Sequence, residues 1–289
     1  MKIHTRFLPE AKYRALIGDL PKYKGKPITI FNDHIPTIPE LLDNPVNILV
    51  LNEPDEFFGH HSYAMQNYFN FGAILTWNQA LLDNLPNAVL SHSAEKKLDD
   101  AYIESFRENP ERVFEISFLR GVLDLVEGHK LRHQIFNSED QITIPHIFWP
   151  VLDDFNWETK NRPGDDENGN SIWAEGKKQI WNRKSMFHLV IENTRHLNFY
   201  TEKILDCFYT KTVPVYWGCP NIEEFWDARG VIMFETKEEA IEKINKLTPE
   251  DYYSRLPYIE NNYQKALEIG CFYKRLELFL DDLISLNGL

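Results

Sequence analysis

Residues 187–220, FHLVIENTRHLNFYTEKILDCFYTKTVPVYWGCP, constrain the fold of this chain more than any other stretch. An apolar run ends at Glu192-Asn193, and a polar turn leads into Thr201-Glu202-Lys203. A short amphipathic helix follows, and a second apolar run from Val213 stops at Gly218. The pattern predicts a βαβ unit with its polar residues gathered at one edge. In such units ligands sit beyond the carboxyl ends of the strands, where the N–H donors of a helix start suit a phosphate. The stretch points to a ligand of nucleotide type.

Apolar runs recur along the chain and alternate with helical patterns, which predicts α/β construction with mainly parallel strands. In the first third, Ile28–Phe31, Val46–Leu51, Ala73–Trp77 and Ala88–Leu90 are the expected strands. In the rest, Val113–Leu119, Phe187–Ile191, Val213–Trp217 and Val231–Phe234 are. The charged stretch Ser93–Pro110 separates the two sets and sets the boundary between Ser91 and Glu111. The expected architecture is two Rossmann-like domains facing across a cleft, residues 1–100 and 101–289. Residues 153–178 are rich in Asp, Asn and Gly, lack periodicity, and are expected to form a loop, either a lid or a plain connection. Toward the C-terminus, Thr236 with Glu239 and Thr248 with Pro249 read as helix starts. Residues 272–286 place Leu276, Phe279, Leu280 and Leu283 on one helical face.

Composition bounds the partners. A formal charge of −13 argues against non-specific binding to nucleic acid or anionic membranes. A phosphate-bearing ligand must therefore be met by a local cluster of cations. The 3 cysteines are too few and too scattered for a disulfide framework or a zinc site, and no metal is expected. No signal-peptide core is visible at the N-terminus. No run approaches the roughly 18 apolar residues that span a bilayer. A cytoplasmic protein in a reducing compartment is the expectation.

Several residues are candidates for chemistry. Lys203 falls in the first turn of the helix after Thr201, where the helix dipole already disfavours a cation. Its place there makes sense if an anion is held jointly by the ammonium and the amide donors; an exposed surface lysine is the plain alternative. Glu192, Asn193 and Glu202 beside it suit ribose hydroxyls. A second cation cluster, Gly128-His-Lys-Leu-Arg132-His133, opens a helix after the strand at Val113–Leu119. Arg132 there is expected to grip a pyrophosphate bidentately, against a solvated helix start. His129 and His133 have a metal-compatible spacing but no third ligand near in sequence, so surface histidines are preferred. Glu53, directly beyond the strand Val46–Leu51, is placed to act as a general base, while Asp55 and Glu56 are expected to face water. His60, His61, Tyr63, Tyr68 and Phe69 suit either an acceptor groove or the core.

At these residues the chain resembles the family-10 fucosyltransferases. Ile191-Glu192-Asn193-Thr194, Thr201-Glu202-Lys203 and Val213-Pro214-Val215-Tyr216-Trp217-Gly218 follow the family's donor-site pattern in order. Ser117-Phe118 with Arg132 resembles its strand and phosphate-contacting arginine, and Asn52-Glu53 the position of its catalytic glutamate. The resemblance implies a GT-B fold, with the donor bound by the C-terminal domain and an oligosaccharide acceptor by the N-terminal one. It implies an inverting transfer from a nucleotide sugar with no obligatory metal. Carried over by position, Glu192, Asn193, Thr201, Glu202 and Lys203 hold the donor, Arg132 binds its phosphates and Glu53 removes the acceptor proton. Thr194 stands where the family has serine, and Phe199-Tyr200 shifts the usual tyrosine by one place. GDP-fucose is the donor by resemblance, a UDP-sugar such as UDP-xylose the alternative. A non-catalytic nucleotide-sugar or glycan binding protein is the reading from another class. The chain contains neither G-x-G-x-x-G nor G-x-x-x-x-G-K-[ST], so dinucleotide oxidoreductases and P-loop NTPases lack their phosphate loops.

Overall fold

The structure, a computed structural model, describes residues 1–5, 21–23, 25–96, 98, 100–108, 111–150, 184–270 and 272–287. The loop expected at 153–178 lies outside the described residues. The chain divides into two units, Met1–Glu95 with His196–Thr201 and Ile269–Leu289, and Lys96–Arg195 with Glu202–Glu268.

In the first unit, β1 (Lys2–Thr5), β2 (Ile28–Asn32), β3 (Val46–Leu51), β4 (Ala73–Thr76) and β5 (Ala88–Leu90) form one sheet. The strands lie in sequence order and every pair is parallel. Between them run α1 (Ile38–Leu42), α2 (Asp55–Phe58), α3 (His60–Asn67) and α4 (Gln79–Asn84). Because successive side chains of a strand point to opposite faces, the sheet has two cores. Ile28, Ile30, Ile48, Val50 and Leu75 pack on one side, and Phe31, Leu49, Leu51 and Ile74 on the other with Ala64 and Leu81.

Two features of this unit differ from expectation. The C-terminal helix (Phe272–Asn287) buries Leu276 and Leu280 against Ile28, Ile30 and Tyr23, so it packs on the first sheet although its sequence position put it in domain 101–289. An apolar stripe reveals that a helix face is buried but not which sheet covers it. The segment His196–Thr201 also belongs here. Phe199 and His196 both pack on the Trp77 indole, with ring centroids 4.6 and 5.4 Å away. Asn198 donates to Trp77 O at 3.1 Å, and Tyr200 stacks on His92 at 4.8 Å. What reads in sequence as a polar turn is a buried aromatic strap.

The second unit contains β6 (Val113–Arg120), β7 (His146–Pro150), β8 (Ser185–Ile191), β9 (Val213–Trp217) and β10 (Ile232–Met233), again all parallel. Its helices are α5 (Asp100–Glu108), α6 (Glu127–Phe136), α7 (Glu202–Tyr209), α8 (Lys237–Asn245) and α9 (Pro249–Ile269). Both expected helix starts form. Thr236 Oγ1 accepts from Glu239 N at 3.2 Å at the head of α8. Thr248 and Asp251 exchange hydrogen bonds at the head of α9, with Thr248 N to Asp251 Oδ2 at 2.9 Å and Asp251 N to Thr248 Oγ1 at 3.3 Å. Among the described residues no helix is long and apolar enough to cross a membrane.

Candidate functional site

Strand order in the second unit is β10-β9-β8-β6-β7. The chain steps from β6 to β7 on one side, then returns to lay β8 on the other side of β6. That reversal is a topological switch point, and in open parallel sheets ligands bind in the crevice outside the carboxyl ends of the strands there. The first sheet runs through its order without reversing. Polar residues beyond β8 therefore occupy the position in the molecule where topology favours a ligand.

Every residue of β8 is buried, and the strand ends in the fully buried Glu192. Glu192 N donates to Trp217 O at 2.9 Å, which carries the ladder with β9 one residue further. Against this end sits the first turn of α6. Gly128 N donates to Asn193 O at 3.0 Å, so one of the helix's otherwise unpaired donors is taken by the chain leaving β8. The approach is possible only at glycine: a Cβ on Gly128 would stand 2.6 Å from Asn193 O and nearer still to Glu192 O. Gly218 plays the matching part beyond β9, where a Cβ would meet the Tyr216 phenol and stand 2.6 Å from Glu192 Cγ.

One turn along α6, the buried Arg132 reaches back to the same strand end. Its Nε donates to Ile191 O at 3.0 Å, Nη2 also bonds Ile191 O, and Nη2 donates to Asn193 Oδ1 at 2.9 Å. The fork expected to grip a pyrophosphate is thus closed on its own chain. As a ligand contact Arg132 offers its charge and its remaining nitrogen. Burial lowers its pKa to about 10, opposed by the carboxylates of Glu192 and Glu202, and it stays a cation at neutral pH.

Lys203, in the first turn of α7, has its Nζ 3.5 Å from Glu192 Oε2 and 3.6 Å from Glu202 Oε1. Both separations exceed the roughly 2.7–2.9 Å of a tight charge-assisted hydrogen bond. The ammonium lies between two carboxylates. The strand end thus joins Arg132, Glu192, Asn193, Glu202 and Lys203, five of the residues singled out from sequence, in one mixed-charge cluster.

His129 and His133 do not form a surface pair. His129 is buried, and Leu125 N donates to its Nδ1 at 3.2 Å. Burial, reinforced by the charge of Arg132, depresses its pKa to about 4, so the ring is neutral at physiological pH. His133 Nε2 donates to Leu123 O at 3.0 Å, and its Nδ1 accepts from Arg120 at 3.1 Å. Sequence reasoning named Gly128 and His129 beside Arg132 and Gly218 at the end of its strand, but gave none of the three a part in this cluster. A glycine two residues into a helix, where propensity disfavours it, was the available signal for the first.

The first unit holds the other two residues. Glu53 lies just beyond β3, and its backbone N–H donates to the buried Asp33 Oδ1 at 3.1 Å. Asn52 N donates to the same oxygen at 2.8 Å, and Trp77 Nε1 donates to Asn52 O at 3.0 Å. Asp33 therefore pins the turn that presents Glu53. Thr201 is buried at the end of the aromatic strap. Asp55, expected to face water, instead caps α3, accepting from His61 N and Ser62 Oγ, both at 2.7 Å. Those hydrogen bonds outweigh the effect of burial and lower its pKa. Glu56 pairs with His196 at 2.8 Å. His60 and His61 are core residues, Tyr63 is partly buried, and Tyr68 and Phe69 are exposed.

The fold is α/β, of the GT-B type. No family model matches the chain. Over nearly its whole length it is similar to a solved α1,3-fucosyltransferase, with a TM-score of 0.60 at 15% identity, covering 99% of this chain and 90% of that one. A structure of α1,3-fucosyltransferase with GDP-fucose matches at 0.55 and 15% identity, covering 98% and 90%. TarM matches at 0.55 and 11% identity, covering 89% of this chain and 54% of TarM. In sequence the chain is fucosyltransferase-like: it is 32% identical over 97 residues to alpha-(1,3)-fucosyltransferase FucT of Helicobacter pylori. That match takes in 31% of this chain and spans 20% of the curated relative's length.

Proposed function

We propose that the protein is an inverting glycosyltransferase that moves fucose from GDP-fucose to a hydroxyl of an oligosaccharide acceptor. The observation that carries this is the cluster at the reversal of the second sheet. Two cations, Arg132 and Lys203, converge there with Glu192, Asn193 and Glu202 on one strand end. Cations fixed in place stabilise the charge that develops on a departing nucleoside diphosphate. Glu202 is suited to accept from ribose hydroxyls and Asn193 to donate or accept; Glu192, fully buried, supports Lys203 from beneath, and Thr201 completes the motif. GDP-fucose is taken as the donor by likeness to the fucosyltransferases, with a UDP-sugar such as UDP-xylose the alternative that the titration distinguishes.

Glu53 is assigned as the base from its place at the carboxyl end of β3, on the edge where a parallel sheet meets its ligand. In the transfer, the acceptor oxygen attacks the anomeric carbon from the face opposite the diphosphate, and its proton passes to Glu53. The bond from the anomeric carbon to the diphosphate oxygen breaks, and the nucleoside diphosphate leaves with the electron pair. The sugar is transferred with inverted configuration.

The test is calorimetric titration with GDP-fucose and UDP-sugars, paired with nucleotide release in the presence of candidate oligosaccharides. GDP-fucose is expected to bind and to turn over with an acceptor. Absence of binding by every donor would sink the proposal. Binding without product across acceptors would support the non-catalytic alternative.

A further inference from the structure

Outside the cluster at β8, the first unit brings together three side chains that are far apart in sequence. The β1–β2 register sets His4 beside Phe31, His34 lies two residues past the end of β2, and Glu40 is in the first turn of α1. His4 Nδ1 is 3.2 Å from Glu40 Oε1, and His34 Nε2 is 3.3 Å from the same oxygen. All three ligand atoms lie within 4.8 Å of one another. We propose that His4, His34 and Glu40 form a zinc site at the carboxyl edge of the first sheet, with a fourth position left to water or another oxygen ligand.

The distances fit a metal as well as the hydrogen-bonded ion pair that His34 and Glu40 form without one. Zinc bonds to imidazole nitrogen and carboxylate oxygen measure about 2.0–2.2 Å, which puts neighbouring ligand atoms of a tetrahedron about 3.3–3.6 Å apart. An N–H···O hydrogen bond prefers about 2.9–3.0 Å. Separations of 3.2 and 3.3 Å fall beside the tetrahedral edge and beyond the preferred hydrogen bond.

The ligands are also oriented. Thr37 N and Thr37 Oγ1 donate to Glu40 Oε2 at 2.7 and 2.8 Å, which fixes the carboxylate with Oε1 toward His4 and both oxygens 3.3 Å from His34 Nε2. His4 stacks on Phe31 at 5.3 Å and on His34 at 5.7 Å, so both rings are fixed in nearly parallel planes. Such outer support is characteristic of metal ligands. Each ligand side chain keeps 23–30% of its surface exposed, which leaves an open side for entry and for a fourth ligand. Two nitrogens and one carboxylate oxygen with an open position match the donor set of open zinc sites.

The experiment uses the full chain, stripped with a chelator and titrated with Zn²⁺ against a chromophoric indicator, then with Co²⁺ to read coordination geometry by visible absorption. One zinc per chain and a tetrahedral cobalt spectrum are expected. His34→Ala and Glu40→Ala should each weaken zinc by at least about 100-fold, since even outer partners contribute 10–100-fold. Thr37→Val should weaken it less, and His129→Gln, in the other unit, should leave it unchanged. Circular dichroism establishes that each variant is folded. Retention of wild-type affinity by folded His34→Ala or Glu40→Ala would overturn the site, as would wild-type protein that takes up no zinc.

Discussion

Gly128→Ala isolates the contact on which the β8 cluster depends. A Cβ at this position would stand 2.6 Å from Asn193 O and 2.9 Å from Asn193 C, below the 3.0 Å that real Cβ atoms keep. The neighbours are backbone at the end of a fully buried strand, so no flexible side chain can move aside. Glu192 O is nearer still, so the α6 start must retreat by about 1 Å. Overpacking of this kind costs about 1–3 kcal/mol, and stretching the Gly128 N to Asn193 O bond removes about 1 kcal/mol more. Alanine's better helix propensity returns about 1 kcal/mol, leaving a net loss of about 1–3 kcal/mol. His129 and Arg132 ride on the same helix, so the displacement also loosens the grip on Ile191 O and Asn193 Oδ1. A misplacement of about 1 Å in a positioned site is enough to cost about 100-fold in rate. Denaturant melts read the stability, and GDP-fucose titration with turnover reads the site. Gly72→Ala is the control, because its Cβ would meet nothing closer than 3.7 Å. If Gly128→Ala melts with the wild type and binds donor equally well, the close approach is not structural and the reasoning fails.

Glu53→Gln keeps the shape of the side chain and removes its basicity, so turnover should fall by about 100-fold or more, the scale of general-base catalysis, with donor affinity unchanged; unaltered turnover would remove Glu53 from the base role. Lys203→Ala should weaken donor binding and turnover together, whereas a loss confined to turnover would contradict its place in the donor site. His129 makes stability depend on acid. Its folded pKa of about 4 lies below the ordinary 6.5, so the unfolded chain binds the proton first. Its contribution is complete above about pH 6.5 and is lost as pH falls toward 4, by up to about 3 kcal/mol at 1.36 kcal/mol per unit. His129→Gln should flatten the urea midpoint over that window, and an unchanged slope would refute the assignment.

Strands with a clean pattern were legible to the residue. Val46–Leu51 and Val213–Trp217 are apolar runs stopped by polar or glycine residues, and both form as read. The two strands that escaped, β1 and β7, carry KIHT and HIFWP. Both lie at the edge of a sheet, where a strand has one neighbour, tolerates polar residues and proline, and loses the apolar signature of a central strand. The same logic divides the site. Glu192, Asn193, Glu202 and Lys203 stand out because polar side chains directly after buried runs have few other reasons to be there. Gly128 and Gly218 act through what packs against their bare backbone, and His129 by being buried; neither the neighbour nor the burial is written in residue type.

The contrast between the two clusters shows where sequence reading stops. The β8 cluster is partly local: Glu192 and Lys203 flank one connection from strand to helix, whereas Arg132 joins them from 61 residues before Asn193. His4, His34 and Glu40 are joined by the pairing of β1 with β2 and by the capping of Glu40 by Thr37, and 29 residues separate the first two. No ligand spacing exists in the chain for such a site, because the spacing is set across the sheet. The low cysteine count, which argued against a zinc site, counts thiolate ligands only and is silent about this one. Histidine and glutamate on neighbouring parallel strands and the following helix start supply the same valences from ordinary surface residues. If zinc binds there, the inference from cysteine counting must be confined to thiolate sites. In a parallel α/β protein, histidines near strand ends then have to be considered across neighbouring strands before a metal is set aside.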